Sequence, residues 1–290
     1  VSSNSGSTGS SGGSTSVSNG GVSAVTSGLG VYRVTENEGI GAIARGVDVS
    51  YWQQNVNWSQ VASDNVQFAM LATRFRGNVD PFFAMNAANA SQAGLRLGAY
   101  IYSYATSVEM AQQEADFVLN LIKDYPISFP VVFDAEDANT LGTLTQSQVS
   151  DVINAFCKRI QDAGYYPMVY ANEYWIANKI DMSKISYDIW VAKYQQKYTY
   201  SKTSMWQASN TGSVKGVNGN VDIDYLYKDY TQIIPGNTWR TIAGNRYYYQ
   251  NHVMQKAAWI NDGQNWYYMN TAGKNGVTDY SGSCDYKLRN

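Results

Sequence analysis

Two carboxylates, Asp134 and Glu136, are the side chains in this sequence best placed to do chemistry. They end an apolar stretch that begins at Pro130, and they are two positions apart. If that stretch is a strand, both side chains point to one face, and the carboxyl groups can approach the ~5–5.5 Å separation of retaining glycosidases. In a partly dry cleft their repulsion raises one pKa and leaves the other group ionised. The alternative is that both residues only cap the turn that follows.

Histidine, cysteine and metal chemistry have little support in this sequence. The chain has one histidine, His252, so we expect neither a Ser-His-Asp triad nor a histidine-rich zinc site. Its two cysteines, Cys157 and Cys284, are too few for a disulfide scaffold. No loop has the ligand spacing of a calcium or magnesium site. We therefore predict neither a metal ion nor a cofactor.

The composition narrows the classes of partner. A net charge of −2 and a pI of about 5.4 argue against nucleic acid. No apolar run approaches the ~18–20 residues that span a bilayer, so membrane insertion is not expected. Aromatic residues make up 14% of the chain, with 24 Tyr and 8 Trp. This abundance is typical of a carbohydrate-contacting surface, although aromatic side chains also fill cores.

Strand and helix patterns alternate from residue 45 to residue 230. The predicted strands are Gly46–Ser50, Gln67–Thr73, Leu97–Tyr102, Pro130–Ala135, Pro167–Ala171, Ile189–Ala192, Ser204–Gln207 and Val221–Ile223. Amphipathic helices are predicted at Glu109–Lys123 and from a capping box at Thr145 to Gly164. Eight strands favour a barrel, but the second half leaves little room for helices. We therefore predict an α/β fold, an irregular β/α (TIM-like) barrel with fewer than eight helices.

Two further acids lie where predicted strands end. Asp48 is placed at the end of the first strand, and Asp222 at the end of the last. In parallel barrels the carboxyl ends of the strands form the active-site face. We therefore expect Asp48, Asp134, Glu136 and Asp222 to converge on one rim.

The segment from Arg45 to Tyr230 resembles the glycoside hydrolase family 25 lysozymes, the Chalaropsis-type muramidases. The resemblance rests on these motifs in order: Gly46-Val-Asp-Val-Ser-Tyr-Trp-Gln53, Val56-Asn-Trp58, Gly98-Ala-Tyr-Ile-Tyr102, Pro130-Val-Val-Phe-Asp-Ala-Glu136, Tyr187-Asp-Ile-Trp-Val-Ala192, Met205-Trp-Gln207 and Gly219-Asn-Val-Asp222. The combination is specific, although no single motif is. The sequence departs from the family pattern in four places. Ser50-Tyr51-Trp52 stands where Ser-His-Trp is common, Ile101 where a His is frequent and Asp224 where Asn is usual, and Arg74-Phe-Arg-Gly77 is unusually basic.

The resemblance implies hydrolysis of the β-1,4 bond between N-acetylmuramic acid and N-acetylglucosamine in peptidoglycan. It makes Glu136 the general acid/base. Asp134 becomes its ionised partner, acting as nucleophile or steering the substrate's acetamido oxygen onto the anomeric carbon. Asp48 and Asp222 match the family's other two acidic positions, and Asp224 stands where the family usually has Asn. An oxocarbenium-like transition state needs nearby negative charge and a proton for the departing oxygen, which agrees with these roles.

Aromatic residues near the predicted strand ends are candidate substrate contacts, together with Asp224. They are Tyr100, Tyr102, Tyr170, Trp190 and Trp206. Stacking on sugar rings is the functional interpretation, and packing within the barrel is the better one for any single residue. We expect at least two of the set to touch substrate.

The N-terminal segment, residues 1–44, is predicted to be a flexible linker. Residues 1–30 are mostly Ser and Gly and carry no charge, so they cannot bury enough apolar area to offset their ordering entropy. No charged segment followed by an apolar run precedes them, so no signal peptide is expected here. We expect a processed protein or a fragment of a longer one.

The C-terminal segment, residues 233–290, has a short aromatic repeat with Gly244 and Gly263 at predicted hairpin turns. It resembles choline-binding-type cell-wall repeats, in which aromatic cages hold a quaternary ammonium group. The candidate wall-binding residues are Trp239, Tyr248, Trp259, Trp266 and Tyr267. Contact with wall teichoic acid or choline is one prediction, and packing against the barrel is an equally good one.

Together these features predict a secreted, extracellular or cell-wall-associated muramidase that acts on peptidoglycan glycan strands. One alternative is an N-acetylglucosaminidase or chitinase on a related barrel. Another is a non-hydrolytic cell-wall-binding protein. An amidase or endopeptidase is disfavoured, because those enzymes use Cys/His pairs or histidine-bound zinc.

Overall fold

A closed eight-stranded barrel lies at the centre of the structure, a computed structural model that describes residues 14–17, 23–34 and 39–276. In chain order the strands are β1 (Ser14–Val17), β2 (Ser23–Ser27), β3 (Gly30–Val34), β4 (Ala44–Val49), β5 (Phe68–Ala72), β6 (Arg74–Phe75), β7 (Asn78–Val79), β8 (Arg96–Tyr102), β9 (Ile127–Asp134), β10 (Pro167–Asn172), β11 (Asp188–Ala192), β12 (Thr203–Gly212), β13 (Val221–Leu226), β14 (Thr238–Ile242), β15 (Asn245–Gln250), β16 (Val253–Met254), β17 (Ala258–Asn261) and β18 (Trp266–Met269). The α-helices are α1 (Trp58–Ser63), α2 (Phe83–Gln92), α3 (Val108–Ile122), α4 (Gln146–Asp162) and α5 (Glu173–Asn178). Within these ranges no helix is both long and apolar enough to cross a bilayer.

The barrel closes in the order β4, β5, β8, β9, β10, β11, β12 and β13. Neighbours from β4 to β12 are parallel, whereas β13 is antiparallel to both β12 and β4. No α-helix joins β11 to β12 or β12 to β13. The predicted α/β barrel with fewer than eight helices is confirmed.

The direction of β13 corrects the predicted position of Asp222. This residue is the second of β13 and does not stand at the carboxyl end of a parallel strand. Because β13 is antiparallel to β4, its beginning lies beside the end of β4, where Asp222 pairs with Asp48. The cause is the short connection after β12, since a parallel pair needs a crossover of a dozen or more residues.

The two predicted helices are α3 and α4, and both form close to their predicted bounds. Thr145 Oγ1 accepts a hydrogen bond from the Gln148 backbone N–H, and Gln148 Oε1 accepts one from the Thr145 backbone N–H, so α4 begins with a full capping box. Gly164 follows α4 with a φ of +91°, a conformation that glycine adopts without strain. Cys157 lies on the buried face of α4, as its place on the apolar stripe predicts, while Cys284 lies outside the described residues.

Aromatic side chains cover the outside of the barrel where no helix does. Trp206 of β12 packs against Tyr198 and Tyr225, with ring centroids 5.4 and 5.7 Å apart, and all three belong to the layer outside the sheet. Tyr198 comes from the irregular connection between β11 and β12. This connection therefore replaces a helix as the cover of β12 and β13.

The interior of the barrel is filled, so a ligand can enter only at its rim. The interior apolar side chains include Phe68, Met70, Phe129, Val132, Met168, Met205 and Leu226. At the amino-terminal end of the strands, Asp188 accepts hydrogen bonds from Lys228, Tyr166 and Tyr230, which lowers the pKa of its carboxyl against the effect of burial. The Asp188 carboxylate therefore stabilises the amino-terminal end of the barrel, which is opposite the predicted site.

Part of the segment predicted as a flexible linker is folded. Strands β1, β2 and β3 form an antiparallel sheet, and Tyr32 of β3 is 1% exposed. The amide of Asn65 exchanges hydrogen bonds with the backbone of Arg33, which fixes the edge of β3 to the barrel. The Ser/Gly composition did not predict β2 and β3, because the buried side of these strands has only two large side chains, those of Val25 and Tyr32.

The C-terminal hairpins pack on the barrel at the end opposite the predicted site. The turns at Gly244 and Gly263 have φ of +75° and +94°, as the repeat predicts. Arg240 of β14 is buried between the rings of Tyr165 and Tyr249, with its guanidinium carbon 3.8 and 4.2 Å from their centroids. This cation–π sandwich holds β14 and β15 against the ends of α3 and α4.

Candidate active site

An acidic cavity of about 290 Å³ opens at the rim where β4 ends and β13 begins. Its lining consists of Asp48, Tyr100, Asp134, Tyr170, Trp190, Tyr194, Gln207, Asn210 and Asp222. Three of the four predicted catalytic acids therefore lie around one opening, although they are far apart in the sequence.

Asp48, Asp222 and Asp224 form a cluster of three carboxyl groups. Asp48 and Asp222 are register partners, and Asp224 stands two residues further along β13. The side chain of Asp48 lies close to both other carboxyl groups. The three carboxyl groups are therefore close enough to influence one another's ionisation.

Burial is the main cause of the raised pKa values in this cluster. It raises the pKa of Asp48 well above the ordinary value, and the charges of Asp222 and Asp224 raise it further. Burial raises the pKa of Asp222 to about 6. Burial and the charge of Asp222 raise the pKa of Asp224, although the Trp190 indole donates to its Oδ1 at 2.9 Å. These groups thus resist ionisation at pH values where exposed aspartates are charged.

Asp134 and Glu136 lie at the boundary between two adjoining cavities. Asp134 is the last residue of β9 and lines the acidic cavity, while Glu136 follows two residues after the strand ends. Glu136 lines a second cavity of about 400 Å³, together with Asn172 and Lys193. Tyr194 lines both cavities, which makes them neighbours. A glycosidic bond across this boundary would meet both carboxyl groups.

The pKa values of this pair are raised by burial and, for Asp134, by the neighbouring carboxyl. Burial raises the pKa of Asp134 well above the ordinary value, and the charge of Glu136 raises it further. Burial also raises the pKa of Glu136, but its carboxylate accepts hydrogen bonds from the backbone and side chain of Asn172, which oppose the rise. Burial thus favours the protonated form of both carboxyl groups. Asp134 Oδ1 is buried and has no hydrogen-bond partner.

Gln207 organises the acidic cavity, and the sequence did not single it out. Its side-chain amide donates to Asp48 Oδ2 at 2.7 Å, and its carbonyl oxygen accepts from Tyr170 and Tyr194 at 2.8 and 2.6 Å. The strand alternation of β12 places Met205 and Gln207 inward and Trp206 outward. The same alternation in the sequence could have predicted that the Gln207 side chain faces the cavity.

The same alternation removes Trp206 from the predicted substrate contacts. Trp206 is 1% exposed, lies outside the sheet, and donates its indole N–H to the backbone oxygen of Lys193 at 2.9 Å. The prediction failed because closeness to a strand end does not decide which side of the sheet a residue faces. Trp206 packs the outer layer and does not reach the cavity.

The remaining predicted aromatic contacts differ in position. Tyr100, Tyr170 and Trp190 line the acidic cavity, and the Trp190 ring packs edge-on to Tyr170 at 4.8 Å. Tyr102 does not line it; its hydroxyl donates to Asp137 Oδ2 at 3.1 Å. The structure therefore brings three of the five predicted aromatic residues to the cavity.

The predicted wall-binding residues lie on the C-terminal hairpins, away from the acidic cavity. Trp239 packs edge-on to Tyr248 and Tyr267, at 5.1 and 4.9 Å, and the guanidinium of Arg246 stands 4.3 Å from the Trp239 ring. Trp259 and Trp266 are 60% and 65% exposed. The aromatic group around Trp239 already holds a cation from its own chain.

No group of three or more His, Cys, Asp or Glu side chains in the described part of the chain is arranged to hold a metal ion. The chemistry available at the rim is that of protonated and ionised carboxyl groups beside hydroxyl and indole donors. Such a site can donate a proton to a departing oxygen and place negative charge near a developing cation.

Comparison with known proteins points to one family. The sequence pattern of Glycosyl hydrolases family 25 matches residues 47–217. Three of the four predicted catalytic acids, Asp48, Asp134 and Glu136, lie in that range, and Asp222 follows it.

Two curated relatives and one solved structure are similar to the chain. It is 31% identical to "Uncharacterized protein YegX" of Escherichia coli (strain K12) over 189 residues, 62% of this chain and 68% of that protein. It is 30% identical to "Lysozyme M1" of Streptomyces globisporus over 195 residues, 61% of this chain and 66% of that protein. The crystal structure of the bacterial lysozyme from Streptomyces coelicolor superposes with a TM-score of 0.53 at 25% identity, covering 66% of this chain and 95% of that one.

Proposed function

The chain belongs to Glycosyl hydrolases family 25, and we propose that it hydrolyses the β-1,4 bond between N-acetylmuramic acid and N-acetylglucosamine in bacterial peptidoglycan. The observation that supports this most is the position of Asp134 and Glu136 at the boundary of two adjoining cavities on the barrel rim. The lysozymes among its relatives favour a peptidoglycan substrate.

In this proposal Glu136 donates the proton to the departing glycosidic oxygen. Burial raises its pKa, so a substrate that excludes the remaining water makes the protonated form more stable still. The Asn172 N–H then stabilises the carboxylate that remains after proton transfer. Glu136 next removes a proton from the attacking water, as microscopic reversibility requires of a retaining enzyme.

Asp134 supplies negative charge on the other side of the bond. It forms a covalent glycosyl intermediate, or it orients the substrate's acetamido group so that the acetamido oxygen attacks the anomeric carbon. For either role its proton must leave the Asp134 side chain or be shared with the acetamido group. Asp134 lines the acidic cavity, so its carboxyl group is within reach of a substrate bound there.

Asp222, whose pKa is raised only to about 6, adds a negative potential to the cavity at neutral pH from within its cluster with Asp48 and Asp224. An oxocarbenium-like transition state carries positive charge, so such a potential stabilises it more than the neutral ground state. Gln207 holds Asp48 in place through its amide donor. We therefore expect Asp48 and Asp222 to act through the field and by holding the substrate, and not through bond formation. Asp224, predicted as a substrate contact, is fully buried and does not line the cavity, so it can act only through its neighbours.

The alternatives make different predictions about the products. An N-acetylglucosaminidase or chitinase would use the same carboxyl pair but leave N-acetylglucosamine at the new reducing end. A non-hydrolytic wall-binding protein would have no use for several buried carboxyl groups with raised pKa values, because burying them without function costs stability. That cost favours an active hydrolase.

A secreted or cell-wall-associated location fits this substrate, and the C-terminal hairpins are suited to a wall contact through Trp259 and Trp266, both of which are exposed. The group around Trp239 is less suited to choline, because Arg246 occupies the face where a quaternary ammonium would bind. We therefore place the wall contact on the exposed tryptophans.

Purified peptidoglycan provides the test of the reaction class. We expect the protein to release reducing sugar ends and no free amino groups. Free amino groups without reducing ends would indicate a peptidase or amidase, and neither product at wall saturation would indicate a binding protein. Either of those results would overturn the proposal.

A further inference from the structure

Aromatic side chains form a second surface on the rim that the proposed mechanism does not use. Tyr51 and Trp52 follow β4 in a 3₁₀ turn, and Phe75 comes from the β6–β7 hairpin. The rings of Tyr51 and Phe75 stack, with centroids 4.1 Å apart and planes 15° apart. Trp52 stands edge-on to both, at 5.6 and 5.7 Å. We call Tyr51, Trp52 and Phe75 the aromatic ledge.

The backbone holds the aromatic ledge in place. Ser50 caps the 3₁₀ turn through a capping box with Gln53. The backbone N–H of Tyr51 donates to Asp80 Oδ2 at 2.7 Å, and Asp80 is 2% exposed. These contacts order the ledge before any ligand arrives, so binding would cost little conformational entropy.

The aromatic ledge is open to solvent, and two of its residues directly follow the strand that ends at the acidic cavity. Trp52 is 67% exposed, the most exposed tryptophan in the described part of the chain. It stands four residues after Asp48, which lines the cavity. The segment that leads to the β6–β7 hairpin is held at the cavity wall, since the hydroxyl of Thr73 donates to the backbone oxygen of Tyr100 at 2.9 Å. A strand-like ligand leaving the cavity in this direction would pass over Trp52.

The charge beside the aromatic ledge is opposite to that of the cavity. The Arg76 guanidinium stands 5.1 Å from the Phe75 ring centroid and is exposed. Among the ion pairs of the described residues, none involves Arg76. A cavity lined by Asp48, Asp134 and Asp222 repels carboxylates, so an anionic polymer needs a positive group outside it.

We propose that the aromatic ledge is a distal subsite, where a pyranose ring of the glycan strand stacks on Trp52 and a carboxylate of the muramyl substituent contacts Arg76. This inference rests on the proposed function, since it assigns a substrate contact outside the cavity where the bond is broken. Stacking uses the apolar face of the sugar, and the guanidinium distinguishes an acidic glycan from a neutral one. A substrate too short to reach the ledge gains nothing from it.

The test compares Trp52→Ala with Trp52→Phe on purified glycan strands of two lengths. On long strands we expect Trp52→Ala to raise KM by roughly 5–20-fold, in line with the loss of one stacking contact, and Trp52→Phe to restore most of the affinity. On a tetrasaccharide the KM of Trp52→Ala should match that of the wild type. Val253→Ala, which removes an exposed apolar side chain from the C-terminal sheet, is the control and should change neither KM.

The charge part of the proposal is tested with Arg76→Gln. We expect it to raise KM on strands with free carboxylates and not on strands whose carboxyl groups have been amidated. An equal rise in KM on short and long strands, a loss in kcat without a change in KM, or an Arg76→Gln effect that survives amidation would overturn the proposal. If the wild type releases no reducing ends at all, it is the proposed function that fails. If the wild type cleaves and Trp52→Ala leaves the KM on long strands unchanged, only the distal subsite is refuted.

Discussion

Asp48 and Asp222 face each other directly across the antiparallel pair of β4 and β13, at the rim of a barrel whose other neighbouring strands up to β12 are parallel. The reversed direction of β13 brings its first residues to the same edge as the end of β4. Two acids separated by most of the chain thereby meet close to Asp134. This one irregularity of the barrel creates the acidic cavity.

Glu136→Gln tests the proton donor. The substitution keeps the shape and removes the acidic proton, so we expect kcat on peptidoglycan to fall by roughly 10²–10⁴-fold while binding to insoluble walls stays the same. Release of reducing ends and co-sedimentation with walls measure the two effects. Glu109→Gln, an exposed glutamate in the first turn of α3, is the matched control and should keep full activity. Wild-type turnover in Glu136→Gln would remove Glu136 from the acid role.

Asp222→Asn tests whether the acidic cluster costs stability. Burial raises the pKa of Asp222 from 3.8 to about 6. A carboxyl with a raised folded-state pKa contributes fully to stability below pH ~4 and loses that contribution as pH rises through about 6. Above pH 6 we therefore expect Asp222→Asn to be more stable than the wild type by about 1–3 kcal/mol, with lower activity.

Urea unfolding at pH 4, 5, 6 and 7.5 measures this difference. We expect the two proteins to have similar stability at pH 4 and to diverge as the pH rises. Asp162→Asn, at an exposed ion pair with Lys158, should show little change at any pH. A difference between Asp222→Asn and the wild type that is the same at all four pH values would contradict the assigned cause.

Gln207→Glu tests the organising role of Gln207. The introduced carboxyl removes the N–H donor from Asp48 and adds charge to an acidic cavity. We expect kcat/KM at pH 7 to fall by roughly 10–100-fold and to recover in part at acid pH, where the protonated carboxyl again donates to Asp48. The pH–rate profile is the measurement. Gln146→Glu, on the exposed first turn of α4, is the control; a uniform loss at every pH would favour simple misfolding of the rim over the proposed role.

Trp206→Phe tests the corrected position of Trp206. The ring loses its indole donor to the Lys193 backbone and part of its packing with Tyr198 and Tyr225. We expect the free energy of unfolding to fall by about 1–3 kcal/mol with KM unchanged. Chemical denaturation measures the free energy of unfolding, and steady-state kinetics measure KM. A raised KM at unchanged stability would return Trp206 to the substrate-binding residues.

The sequence predicted the barrel and its acidic rim because both follow from local patterns. Strand and helix periodicity, the Thr145 capping box and Gly164 gave the helices and most strands close to their observed bounds. The meeting of Asp48 and Asp222 was predicted for the wrong reason, since no local pattern reveals that β13 is antiparallel.

Side-chain direction and long-range packing were harder to predict. Trp206 and Gln207 are adjacent, and only the register of β12 decides which of them reaches the cavity. The burial of β3 depends on the packing of Tyr32 against the barrel, and composition alone does not predict that contact. The cation that covers Trp239 comes from Arg246 of the paired strand, so it is visible only once the hairpin register is known.

The identity of the new reducing end tests the central claim most directly. Peptidoglycan is digested with the protein, the new ends are reduced with borohydride, and the sugar alcohol is identified after acid hydrolysis. Muramitol is the predicted product, because the proposed reaction leaves N-acetylmuramic acid at the reducing end. Glucosaminitol in its place would contradict the account and assign the carboxyl pair to an N-acetylglucosaminidase.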